Sequence, residues 1–163
     1  MLRVASLLLL SFALLACSSV KEQTVGSVEI IRIDPAYMED QDFKHISEYL
    51  TGVEEHGKRT VVRTQPDLRA GFYFTLKLDA KAKQLPRGSR VVGEFYLPQS
   101  AEAQIFDLTL PAERGKSNEL LFGLTGSDWL QGKERAPAAW RFTIKDADGQ
   151  ILGTAHSFLW NKH

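Results

Sequence analysis

"FYFTLKL", residues Phe72–Leu78, alternates without a break. Phe72, Phe74, Leu76 and Leu78 fall on one side of an extended chain, and Tyr73, Thr75 and Lys77 on the other. Period two over this length predicts a half-buried β-strand. The pattern recurs downstream. Val91, Gly93, Phe95 and Leu97 repeat it, as do Phe106, Leu108 and Leu110, with Asp107 and Thr109 facing out. Leu120, Phe122 and Leu124 follow, then Trp140, Phe142 and Ile144. A last run, Ile151–Trp160, is mixed, with Leu152, Phe158 and Trp160 in phase. Upstream, Val28–Ile33 predicts a strand and Thr60–Thr64 a weaker one.

Turn residues separate these runs. Leu85–Ser89, Leu97–Glu102 and Pro111–Asn118 carry Pro, Gly, Ser or Asn, which punctuate strands. "DADG", Asp146–Gly149, lies between two strand patterns and predicts a hairpin. The expected fold is mainly β: an antiparallel sandwich of about 7–8 strands in the range 28–163. The closing "AAWRFTIKDADGQILGTAHSFLW" (138–160) resembles the last hairpin of an immunoglobulin-like sandwich. That is a likeness of architecture, and the inter-sheet cysteine pair of antibody-type domains is absent. One short helix is expected in Asp40–Gly52, where Phe43, Ile46 and Leu50 fall at i, i+3 and i+7. Asp42 is placed to cap it and Gly52 to end it, and it is expected to cover an edge or an open end of the sandwich.

The N-terminus has a different character. Arg3 precedes an apolar run, Val4–Leu15, broken only by Ser6 and Ser11. Its length fits the core of a secretory signal and falls short of a spanning helix. It closes in "LLAC", Leu14–Cys17, which resembles the lipobox of bacterial lipoproteins, although a small residue is commoner at the place of Leu15. The resemblance covers only Met1 to about Ser19. It implies removal of residues 1–16 by cleavage between Ala16 and Cys17, and lipidation of Cys17. Ser18 is compatible with outer-membrane sorting. Residues 17–27 then form the lipidated N-terminus and a polar tether. A cysteine carrying two or three acyl chains holds a domain at a membrane without a spanning helix.

The whole chain of 163 residues balances 20 Lys and Arg against 20 Asp and Glu, interspersed along the sequence. No concentrated basic footprint argues for nucleic acid, and no polybasic run supports the anchor electrostatically. Cys17 is the only cysteine, so no disulfide within the chain staples the fold.

Signs of chemistry are sparse. His45 and Glu48 share a helix face, with Glu54, Glu55 and His56 nearby, but no four-ligand zinc spacing is present. "DADG" lacks the remaining ligands of a calcium loop. No G-x-S-x-G elbow occurs. Ser127, Asp128 and His156 supply the residue types of a triad, which only geometry recognises; Ser127 or Asp128 capping a helix before Trp129 is the better explanation. No metal and no cofactor are implied.

The expected function is therefore a lipid-anchored cell-envelope protein of the bacterial outer membrane, periplasm-facing, with a non-catalytic sandwich that binds an envelope protein or glycan. The candidate surface is the loop pair 111–118 and 126–139, with Arg114, Lys116, Asp128 and Trp129 as its candidate residues. Trp129 is alternatively a plug over the sandwich end. A hydrolase using His45, His56 or Asp128, and a carbohydrate-binding module with Tyr73, Tyr96 or Trp129 on a flat face, are the competing expectations.

Overall fold

The computed structural model describes residues 23–55, 57–97, 100–129, 131–133 and 135–162. Each alternating run becomes a strand: β1 Ile30–Met38, β2 Thr60–Arg63, β3 Gly71–Leu78, β4 Arg90–Tyr96, β5 Gln104–Thr109, β6 Glu119–Thr125, β7 Ala139–Lys145 and β8 Ile151–His156. They form two four-stranded sheets, β1-β3-β6-β2 (sheet I) and β5-β4-β7-β8 (sheet II).

Apolar residues of both sheets meet between them. The rings of Phe74, Phe95, Phe122 and Phe142 form the centre, with Phe74–Phe142 at 5.1 Å and Phe95–Phe122 at 5.7 Å between centroids. These are the tilted and edge-on geometries that aromatic rings prefer. Gly93 makes room for them: a Cβ there would lie 2.7 Å from the Phe95 ring and 2.9 Å from that of Phe122. The expected "DADG" hairpin joins β7 to β8, with Gly149 at φ 87° and Asp146 Oδ1 accepting from the Gln150 amide.

The order β1-β3-β6 in one sheet and β5-β4-β7-β8 in the other follows the A-B-E and C′-C-F-G order of an immunoglobulin-like sandwich. β2 departs from it. It occupies the edge next to β6, but it comes from the connection between β1 and β3, and it pairs parallel to β6. The antiparallel sandwich that was expected is present, with this one parallel pair as the exception, and the cause is directional. β1 and β6 run the same way, both being antiparallel to β3. The chain leaving β1 crosses sheet I, returns to the end where β1 began and enters β2 in the direction of β6.

Two ends of the sandwich follow from the registers. At the proximal end, Ile30, Leu78, Thr60 and Glu119 terminate the strands of sheet I. The incoming chain joins there, with the Val25 amide donating to the Gln84 carbonyl and the Val28 amide to the Leu152 carbonyl, both at 2.9 Å. Met38, Arg63, Gly71 and Thr125 mark the distal end.

Strand limits shift at two places. β1 runs on to Met38 through Pro35, which an edge strand tolerates. β8 stops at His156, so Phe158 lies in a turn, exposed, and not in the core.

Candidate functional site

The crossover from β1 to β2 makes a third layer on the outer face of sheet I. It holds a 3-10 turn, Asp40–Phe43, and the helix α1, Ile46–Thr51. Phe43 is its anchor: buried, it packs on Tyr73 at 4.9 Å between ring centroids, with Leu121 in the same small cluster. Tyr73 and Leu121 belong to the outward rows of β3 and β6, so sheet I has apolar side chains on both faces and requires this cover.

A buried charge network fixes the layer. Arg63, the last residue of β2, is 8% exposed. Its Nη1 and Nη2 donate to the two Glu54 oxygens at 2.9 and 2.6 Å. Its Nε donates to Tyr73 Oη at 2.7 Å, and Tyr73 Oη donates to the Arg69 carbonyl at 2.7 Å. The guanidinium also lies 4.7 Å from the centroid of the Phe43 ring, within cation–π range. Arg69 extends the network to Glu48 at 2.5 Å, Glu54 at 3.4 Å and Asp40 at 3.8 Å.

The titrations follow from this packing. Burial disfavours the Arg63 cation, but the Glu54 carboxylate and the Tyr73 phenol hold its pKa above the usual guanidinium value. Burial pushes the Tyr73 phenol up, partly opposed by Arg63. The hydrogen bond to Glu48 raises Arg69, against burial. Gly123 permits the whole arrangement: a Cβ there would lie 2.4 Å from Tyr73 Cε1, so the ring crosses β6 only over a glycine.

The network decides which side of α1 faces the protein. Phe43, Ile46 and Leu50 were expected to share a buried stripe. Only Phe43 is buried; Ile46 is 85% exposed, Tyr49 76%, Leu50 86% and Val53 68%. Glu48 is turned inward to Arg69, and an unpaired buried charge is more costly than a few exposed aliphatic groups. The helix therefore presents an apolar ridge to solvent. His45, not Asp42, stands at its N-cap position, while Gly52 ends it at φ 68° with its amide on the Glu48 carbonyl at 2.8 Å. A hollow of about 180 Å³ between Lys44, Glu48, Tyr49 and Gly52 adjoins the ridge.

The other expected site residues fall in separate places. Cys17 and Ala16 lie outside the described residues, as does His56. Trp129 is 6% exposed, packs on Phe72 at 4.8 Å and donates from Nε1 to the Gly132 carbonyl. It plugs the distal end, and with so little ring exposed it does not form a contact surface. Ser127 and Asp128 lie in a 3-10 turn, Gly126–Asp128, that precedes Trp129 and caps no helix after it. Both interact with Gln65 Nε2, Asp128 at 3.4 Å, whereas His156 contacts the Ser157 carbonyl. Arg114 and Lys116 are at the opposite, proximal end. Loops 111–118 and 126–139 flank a single strand, β6, so they cannot form one surface. Tyr73 is buried, so the flat aromatic face expected with Tyr96 and Trp129 does not form; Tyr96 instead meets Trp160 at a tilt, 5.3 Å between ring centroids.

Among the described residues, no group of three His, Cys, Asp or Glu side chains is placed to hold a metal, and no helix is long and apolar enough to cross a membrane. The outer face of sheet II carries a shallow trough of about 490 Å³ whose walls include Ile105, Ile151 and the Glu94–Arg141 pair. No protein-family model matches the chain, and no curated protein or solved structure matches it either. What fold and site define is a two-sheet β-sandwich with a strapped outer face and an apolar helical ridge.

The sequence reading missed the Arg63–Glu54–Arg69–Glu48 network. One signal was available: Arg63 follows Val61 and Val62 inside a predicted strand, and an arginine there requires either solvent or a carboxylate.

Proposed function

We propose that this protein is a lipid-anchored cell-envelope protein, held through Cys17 at the bacterial outer membrane and facing the periplasm, whose sandwich is a non-catalytic binding or assembly module. The observation that carries the binding role is the α1 ridge. Ile46, Tyr49 and Leu50 are exposed together on α1, with Val53 exposed just past its end, and the helix is tied to the fold by the Glu48–Arg69 ion pair beneath it. An apolar row at i, i+3 and i+4 is a form in which a helix engages a hydrophobic groove. The partner in this reading is an envelope protein offering such a groove.

A photo-crosslinking residue at Tyr49, in the full chain in its own envelope, tests the ridge. The expected result is one adduct of defined mass that disappears in Leu50→Asp, with the unfolding midpoint unchanged. No adduct, or one indifferent to Leu50→Asp, overturns the ridge as the binding surface. Separately, Cys17→Ala is expected to abolish acyl labelling and signal cleavage; labelling that persists overturns the anchor.

A further inference from the structure

Charges that the sequence disperses are gathered by the fold. Three loops meet at the proximal end: 57–59, 79–89 and 110–118. The Ser117 amide donates to the Lys58 carbonyl, the Ala82 amide to the Ser117 carbonyl and the Leu110 amide to the Ser89 carbonyl. Arg114 Nη1 reaches the Pro86 carbonyl at 2.8 Å. These loops carry Lys58, Arg59, Lys81, Lys83, Arg87, Arg114 and Lys116 against Asp79 and Glu113. Asp146, Asp148 and Glu29 adjoin them, and the end retains an excess of cations. The distal strap is the reverse: residues 39–55 hold Glu39, Asp40, Asp42, Glu48, Glu54 and Glu55 against Lys44.

Among the described residues, Lys58, Arg59, Lys81, Arg87, Arg114 and Lys116 form no ion pair with a carboxylate. Arg114 Nε is buried with no hydrogen-bond partner. Burial, and then the like charge of Arg87, pull the Arg114 pKa down. Crowding of that kind is relieved by an anion.

The chain also leads from this end toward the anchor. Val25 is bonded to Gln84, inside the loop that carries Lys81, Lys83 and Arg87. The six residues from Gln23 back to Cys17 span at most about 20 Å when extended. A lipid on Cys17 therefore keeps the basic loops close to a bilayer surface. Attraction to anionic lipid fades within a Debye length, about 8 Å at physiological salt, a separation that a tether of this reach allows the loops to enter.

We propose that the proximal end is a membrane-facing surface, in which the basic loops 57–59, 79–89 and 110–118 rest on anionic phospholipid headgroups and the α1 ridge is carried away from the bilayer. This rests on the anchor reading of Cys17. The patch in this reading is assembled from three loops distant in sequence, of which 79–89 carries three of the cations.

The test uses the full lipidated chain in vesicles of phosphatidylcholine alone, and of equal parts phosphatidylcholine and phosphatidylglycerol. With Cys17 acylated, Ala112→Cys and Thr51→Cys each offer a single thiol for a fluorophore, proximal and distal respectively. Quenching by a headgroup-labelled lipid reports proximity. The expected result is severalfold stronger quenching at 112 than at 51 on phosphatidylglycerol. This contrast should shrink on phosphatidylcholine alone, in high salt, and in the triple variant Lys81→Gln, Arg87→Gln, Lys116→Gln with an unchanged unfolding midpoint. A contrast indifferent to lipid charge and to the triple variant overturns the proposal and leaves the anchor standing. A chain that fails to co-sediment with phosphatidylcholine vesicles overturns the anchor, and this orientation with it.

Discussion

The outer faces of the two sheets are built from strands of similar length and alternation, yet one is covered and the other bare. On sheet II the outward residues satisfy one another across strands. Arg141 donates to both Glu94 oxygens at 2.5 and 2.6 Å, Arg90 pairs with Asp107 at 3.0 Å, and the Thr154 hydroxyl donates to the Phe142 carbonyl at 3.0 Å. Such a face is stable in water. On sheet I the outward positions hold Tyr73, Leu121, Gly123 and Arg63, which leave apolar area and a buried cation to be covered. The strap supplies both the cover and the carboxylates. A sheet recruits a third layer when its outer row is apolar, and the charges inside that layer then decide which side of the covering helix faces out.

This contrast breaks most readily at Arg63. Arg63→Ala leaves Glu54 partly buried without its main partner and removes a donor from Tyr73. A loss of about 3–5 kcal/mol is expected, read as a lower urea midpoint at unchanged m-value. The same substitution at Arg90 on sheet II sets the other end of the comparison. Arg90 and Asp107 are 35% and 42% exposed at their side chains, so the loss of this pair is expected to cost under about 1 kcal/mol. Equal losses at the two sites would show that the strap network contributes no more than a surface pair.

Gly123→Ala comes next. Its Cβ would enter the Tyr73 ring, displacing the phenol from Arg63, with an expected cost of about 1–3 kcal/mol. Tyr73→Phe removes the hydroxyl relay alone, for about 1 kcal/mol, and it also tests pH dependence. The folded-state pKa of Tyr73 is raised above its ordinary value of 10.0. Its contribution is therefore complete below about pH 10 and is lost as pH rises from there through the folded-state value. Wild type is expected to lose stability over that alkaline window, and Tyr73→Phe to lose less. Identical pH profiles would place the phenol outside the network. The smallest effect is expected at Leu50→Asp, within about 0.5 kcal/mol of wild type because the side chain already faces water. A large loss there would mean that the ridge is packed, and would remove it as a free surface.

Much of the architecture was legible along the chain. Phe72–Leu78 and its sister runs declare their faces because side chains alternate across a pleated strand, and Asp146–Gly149 declares its hairpin because Gly tolerates positive φ. The candidate surface was misplaced for a reason also available in the sequence. Loops before and after one strand lie at opposite ends of it, so Arg114 and Lys116 could not meet Asp128 and Trp129. The orientation of α1 was not legible. Ile46 and Leu50 have the spacing of a buried stripe, and only the positions of Arg63 and Arg69, distant in sequence, turn Glu48 inward in their place.

By itself the sequence determined seven to eight strands, most of their inward rows, the hairpin before β8 and the glycine that ends α1, because these depend on residues within a few positions of one another. Tertiary structure decided the parallel entry of β2, the Arg63–Tyr73–Glu54 relay over Gly123, the outward ridge and the basic proximal end. Each of these brings together side chains from distant strands and loops, and the free energy of pairing a buried charge, or the field of a cluster of cations, is set by distance in space and not by distance along the chain.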